Sequence, residues 1–241
     1  MRPIAHSLSV FALALAACAP LPEPAPGPAA QGPVNLPPPG PKLSPNEAAR
    51  TFASVVRRME PVTEAECRAR VPRANCDFDI RVDTRAGVPA NAYQSLDNSG
   101  RPVITFTLPL ITETRNADEI AFILGHESAH HIMGHIPRGQ QTAMTGAILL
   151  GTLVALGGGS ASSIDTAQQI GAGVGGRTFS KNYELEADQL GTVITHRAGY
   201  DPMRGAAFFA RIPDPGNQFL GSHPPNASRL ETVRRTAAQL R

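Results

Sequence analysis

Residues His126-Glu127-Ser128-Ala129-His130 spell H-E-x-x-H within the stretch Ala117 to His135, and this pattern constrains the chain more than any other. On a helix of about 3.6 residues per turn, His126 and His130 stand one turn apart on the same face. Two imidazoles so placed can offer nitrogens to one Zn²⁺ at ~2.0–2.1 Å. Glu127 lies beside that face, placed to take a proton from an attacking water. The flanks predict the helix as well. Asn116 is a good N-cap, Glu119 follows as a capping-box partner, and Pro137 marks the far end. The remaining positions, Ile120, Phe122, Ile123, Leu124, Ala129, Ile132 and Met133, are apolar on every side, so the helix is expected to be central and buried. A plain core helix with satisfied histidines is the competing reading. Burying two His and a Glu without partners is costly, which favours the metal.

A catalytic zinc keeps three protein ligands and one open position. A second acidic cluster, Tyr183-Glu184-Leu185-Glu186-Ala187-Asp188, supplies the third. Glu184 and Asp188 are one turn apart and share a face, whereas Glu186 is turned about 200° from Glu184. Glu184 is therefore the expected ligand. Asp188 is the expected acceptor for the N–H of a ligating imidazole. A solvated acidic helix face is the alternative.

The 241 residues, 41% of them hydrophobic, can bury one good core. A net charge of only +2 gives no reason to invoke nucleic acid. The N-terminus speaks to compartment. Arg2 and His6 precede a short apolar run from Leu8 to Ala17, which reads as a secretory signal too short to span a membrane. Leu15-Ala16-Ala17-Cys18 resembles a bacterial lipobox, which implies a lipid on Cys18 and, with Ala19 following, the outer membrane. An ordinary signal peptide with an incidental cysteine is the alternative. Cys67 and Cys76 then remain in an oxidising compartment and are expected to pair. Two free thiols, or one metal ligand, stay open. Pro20 to Pro45 is dominated by Pro, Ala and Gly and reads as an extended tether.

Ser44 with Glu47 opens a helix carrying Ala48, Phe52, Val55, Val56 and Met59 at helical spacing. Asp77 to Val82 and Val103 to Leu108 read as strands, with a turn at Asp97 to Gly100 and a short edge strand over Pro89 to Gln94. The expected fold class is α+β: a mostly helical zincin-like domain with a small antiparallel sheet against the central H-E-x-x-H helix. Thr142 to Leu156 is strongly apolar, uncharged and shorter than a membrane span, with glycine runs at Gly157 to Gly159 and Gly171 to Gly176. It reads as a buried helical hairpin or as a mobile, membrane-contacting flap.

The motifs together resemble the gluzincin metallopeptidases that include the CAAX prenyl proteases and the HtpX heat-shock protease (metallopeptidase family forty-eight), closest to soluble periplasmic BepA- and LoiP-like members. The resemblance spans roughly residues 91–229. It rests on the H-E-x-x-H with His135, on Glu184-x-x-x-Asp188, on Asn91-Ala92-Tyr93 and on His223-Pro224 with Arg229. Lys181 departs from the arginine of many relatives. The resemblance implies one Zn²⁺ per chain on His126, His130 and Glu184, with Glu127 as general base. It implies Asn91, Ala92 and Tyr93 as the strand that receives substrate, and His223 or Arg229 as a donor to the oxyanion. In some relatives a His equivalent to His223 caps the metal.

The implied domains are residues 1–17 as signal peptide, 18–45 as lipidated Cys18 plus tether, and 46–241 as zinc metallopeptidase domain. The implied setting is the periplasmic face of the outer membrane, with misfolded or unassembled envelope polypeptides as substrates and the outer-membrane assembly machinery as partner. A zinc-binding, chaperone-like or scaffolding lipoprotein with little proteolytic activity is the competing function.

Overall fold

A computed structural model describes residues 34–240, apart from 179 and 215–223. The signal segment, Cys18 and His223 lie outside the described residues.

Helix α1 (Pro45–Arg70) begins at Ser44, whose hydroxyl accepts from the Glu47 N–H while the Glu47 carboxylate accepts from the Ser44 N–H. Ala48, Phe52, Val55 and Met59 form its buried stripe. Its last turn is pinned by a disulfide between Cys67 and Cys76, with Cα atoms 5.7 Å apart. Ahead of this helix, residues 34–40 lie against the domain. Val34 and Leu36 pack beside Phe122, Phe209 and Leu230, and the carbonyls of Pro39 and Gly40 accept from Asn116 and Arg115.

Three strands follow: β1 (Asp79–Asp83), β2 (Ala92–Leu96) and β3 (Pro102–Thr107), in the order β1-β3-β2. All six residues of β3 are buried, so both its edges take partners. The Asp97 carboxylate, accepting from the N–H groups of Ser99 and Arg101, ties the hairpin that makes β2 antiparallel to β3. The expectation of an antiparallel sheet is corrected at β1, which pairs parallel to β3 with Asp79 opposite Val103. The hairpin already fills one edge of β3, and the crossing link over 84–91 brings β1 to the other edge in the parallel sense.

A short α2 (Leu108–Glu113) leads to α3 (Ala117–Ile132), the axis of the molecule. Ile120, Ala121, Leu124 and Ala129 on it are fully buried. Asn116 caps α3 by accepting from the Glu119 N–H at 3.0 Å. Glu119 does not close the reciprocal box; its buried carboxylate accepts from the Arg115 N–H and takes a two-pronged ion pair from Arg211 at 2.7 and 2.8 Å. The helix stops at Gly134, whose φ of +64° suits glycine. Pro137 falls in the first turn of the next helix, α4 (His135–Leu156).

Helix α4 and α5 (Ala161–Thr178) form a hairpin. A Cβ on Gly146 would come within 2.1 Å of the Gly171 carbonyl oxygen, so these backbones meet where no side chain fits. The reading of this hairpin as buried is corrected. Met144, Ile148, Leu149, Leu153 and Leu156 are exposed along α4, because α5 covers only one side of it. Among the described residues no helix is long and apolar enough to cross a membrane.

The chain closes with α6 (Ser180–Arg197), α7 (Pro202–Ala206) running into a 3₁₀ turn (Ala207–Ala210), and α8 (Asn226–Gln239). Gly125 on α3 and Gly191 on α6 let these two helices touch. A Cβ on Gly125 would lie 2.9 Å from the Gly191 carbonyl oxygen, and one on Gly191 would lie 2.9 Å from the His126 nitrogen. That contact sets how deeply α6 reaches toward the histidines.

Candidate metal centre

His126 and His130 project from one face of α3, and their Nε2 atoms are 3.1 Å apart. Helix α6 delivers Glu184 to the same point. One carboxylate oxygen is 3.6 Å from His126 Nε2 and the other 3.3 Å from His130 Nε2. The three donor atoms lie within 4.8 Å of one another. Two imidazole nitrogens and one carboxylate oxygen are the donor set of a tetrahedral catalytic zinc with one position open. The charge balance agrees. Burial works against a proton on His130, but the Glu184 hydrogen bond and the charges of Glu127 and Glu184 outweigh it and raise its pKa. A site that favours an extra positive charge in this way suits a divalent cation.

Behind His126 stands a buried ion pair. The Nδ1 of His126 is 3.0 Å from Asp188, and Arg229 grips the two oxygens of that carboxylate at 2.7 and 2.8 Å. Burial alone would push Asp188 up, yet Arg229 and His126 hold it below the usual carboxylate range. For Arg229 burial is likewise outweighed, by Asp188, so it stays charged. Its guanidinium also lies 3.8 Å above the Phe209 ring. Arg229 is thus held chiefly by Asp188, while one of its nitrogens is also 3.2 Å from His126 Nδ1 and 3.7 Å from Glu184, and it borders the cleft described below.

Behind His130 the arrangement differs. Its Nδ1 is 2.9 Å from Nδ1 of His135, the first residue of α4. The other nitrogen of His135 is 3.1 Å from Glu186, and Arg138 donates to Glu186 at 2.6 and 3.3 Å. Burial pushes His135 down to about 4 despite its bond to Glu186, so its ring is neutral at neutral pH. Glu186 is held below its ordinary value, chiefly by the Arg138 hydrogen bond. The sequence sets Glu186 aside as turned away from Glu184, and the only local signal for Arg138 is its place one turn beyond His135. His131, by contrast, points to the sheet side, where it donates to the Asn75 carbonyl and meets the edge of Phe78.

These groups open onto a cleft of about 790 Å³. Glu127 borders it beside both histidines, and Asn91, Ala92, Tyr93 and Gln94 form another wall. Among the described residues β2 pairs only with β3, which leaves its outer edge toward the cleft. Asn91 is fixed just before the strand by donating to the Thr107 hydroxyl at 2.8 Å and accepting from its N–H at 2.9 Å. Phe122, Ile123, Phe208 and Phe209 give the cleft an apolar floor.

The sequence pattern of peptidase family M48 matches residues 49–237, most of the chain. The chain is also 29% identical to the beta-barrel assembly-enhancing protease of Yersinia pestis over 148 residues, which are 55% of this chain and 30% of that protein. It is 25% identical to the metalloprotease LoiP of Escherichia coli over 194 residues, 71% of this chain and 75% of LoiP. A third similarity, 27% over 135 residues, is to the mitochondrial metalloendopeptidase OMA1 of Arabidopsis thaliana, of which it spans 27%.

Proposed function

Because the chain belongs to peptidase family M48, we propose that it is a zinc-dependent endopeptidase acting in the cleft between α3 and β2. The observation that carries this reading is the convergence of His126, His130 and Glu184 on one point, with Glu127 at the cleft edge beside them. His126, His130 and Glu184 hold the ion. The chemistry it supplies when bound is polarisation of the scissile carbonyl and acidification of water. Glu127 takes the proton of the attacking water and passes it to the departing amine as the C–N bond breaks. Asp188, gripped by Arg229, accepts from His126 and keeps that ring aimed, and Arg229 acts first through Asp188. Asn91, Ala92 and Tyr93 receive an extended peptide by strand addition along the open edge of β2. An edge of that kind needs unfolded backbone, so the substrates are misfolded or unassembled polypeptides.

The signal-like N-terminus and the lipobox-like stretch ending at Cys18 support a setting on the periplasmic face of the outer membrane, with envelope proteins as substrates. The similarity to the beta-barrel assembly-enhancing protease of Yersinia pestis supports a link to outer-membrane assembly. One observation favours the competing reading of a chaperone-like lipoprotein: the exposed apolar face of α4, which offers a surface for holding unfolded chains.

Casein cleavage by the purified chain and by Glu127→Gln separates the two. The enzyme reading expects cleavage to fall by about 10²–10⁴-fold in the variant, with zinc bound equally in both. Zinc bound in both and cleavage in neither favours the holding function.

A further inference from the structure

A histidine that ligates through Nε2 carries its proton on Nδ1, and that N–H requires an acceptor. For His126 the acceptor is Asp188. For His130 it is another imidazole: Nδ1 of His135, at 2.9 Å. The directions of the bonds then follow one from another. His135 accepts at Nδ1 only if its own proton is on Nε2, and that N–H donates to Glu186 at 3.1 Å. Glu186 is in turn fixed by two donors of Arg138. The His135 ring cannot swing away, because it is stacked on Tyr183 with centroids 4.7 Å apart and planes 13° apart. Arg138 covers the same Tyr183 ring at 4.4 Å.

On the reading that His130 is a zinc ligand, we infer that His135, Glu186 and Arg138 are positioning residues for the metal, holding His130 in the tautomer and orientation that present Nε2 to it. Helix α6 then serves both histidines. One face supplies Asp188 to His126, and the other supplies Glu186 to His130 through His135. The first turn of α4 joins the metal site by the same route, so His130 is aimed from the root of the exposed hairpin.

The test is zinc affinity of the full chain, measured by competition against a chromophoric chelator, with the melting temperature of the metal-stripped protein recorded beside it. His135→Phe keeps the ring and its stack on Tyr183 and removes both nitrogens. Its zinc affinity is expected to fall about 10–100-fold, with the melting temperature of the stripped chain unchanged and the visible spectrum of the Co²⁺ form altered. Glu186→Gln, at a partly exposed position, carries the test independently if the Phe variant does not fold, and a smaller loss in the same direction is expected. Zinc affinity within about twofold of wild type in both variants would overturn the inference, as would loss of stripped-chain stability with affinity intact. If wild type itself binds no zinc, the metal reading on which the inference rests fails first, and the two failures are thereby distinguished.

Discussion

Around His126 the chain buries charge, whereas along α4 it exposes hydrocarbon. Asp188 and Glu119 have no solvent exposure and Arg229 only 7%. Leu149, Leu153 and Leu156 on the hairpin are 61, 65 and 83% exposed. Both regions run against the usual partition of residues, and each does so by a different means. Asp188 and Glu119 persist in the interior because each is gripped at two points, the first by Arg229 and the second by Arg211. The exposed face persists because α4 and α5 hold each other through backbone contact at Gly146, Gly171 and Gly175, and ask little of the core. A region built on paired charges is intolerant of single changes. One built on an uncovered apolar face is tolerant of them.

The largest effect expected from this contrast is at Asp188. Asp188→Ala takes from the buried Arg229 its two-point partner and leaves only the more distant Glu184, 3.7 Å away, a cost of about 3–5 kcal/mol, or a fall of roughly 6–20 °C in Tm for a domain of this size. A calorimetric loss below about 1 kcal/mol would mean that water or another carboxylate already serves Arg229. Next is the helix contact of the hairpin. Gly146→Ala forces a methyl against the Gly171 carbonyl and is expected to cost about 1–3 kcal/mol, confined to α4 and α5. Faster amide exchange in those helices with unchanged exchange in α3 is the expected signature; equal acceleration in α3 would show that the hairpin and the cradle are one cooperative unit. The smallest effect is expected at Leu153. Leu153→Ser stays within about 0.5 kcal/mol of wild type in urea, while binding of a hydrophobic dye falls. A large destabilisation there would mean that the face is covered in solution.

The sequence exposes this contrast unevenly. Contacts one helical turn apart are legible, since four-residue spacing alone puts His126 with His130 and Glu184 with Asp188. Strand existence is legible too, but the direction of β1 is not, because the same alternation suits either sense and only the hairpin on the far edge of β3 decides it. The rotation of Glu186 away from Glu184 is correct as helix geometry. Its partner, however, comes from α4, 51 residues earlier, and nothing local announces it. Gly125 and Gly191 look like ordinary helical glycines until the crossing of α3 and α6 is known. The apolar run in α4 reads as core for a similar reason: composition states a need for cover, and only the fold shows whether cover is supplied.

The most direct test of the account is a zinc titration of the metal-stripped chain beside its His130→Ala and Glu184→Ala variants. The account predicts one tightly bound zinc per chain in the wild type, and an affinity lower by at least about 10²-fold in each variant, since each removes one of the three protein ligands that such a site requires. Tight, stoichiometric zinc retained in both variants would place the metal elsewhere and contradict it.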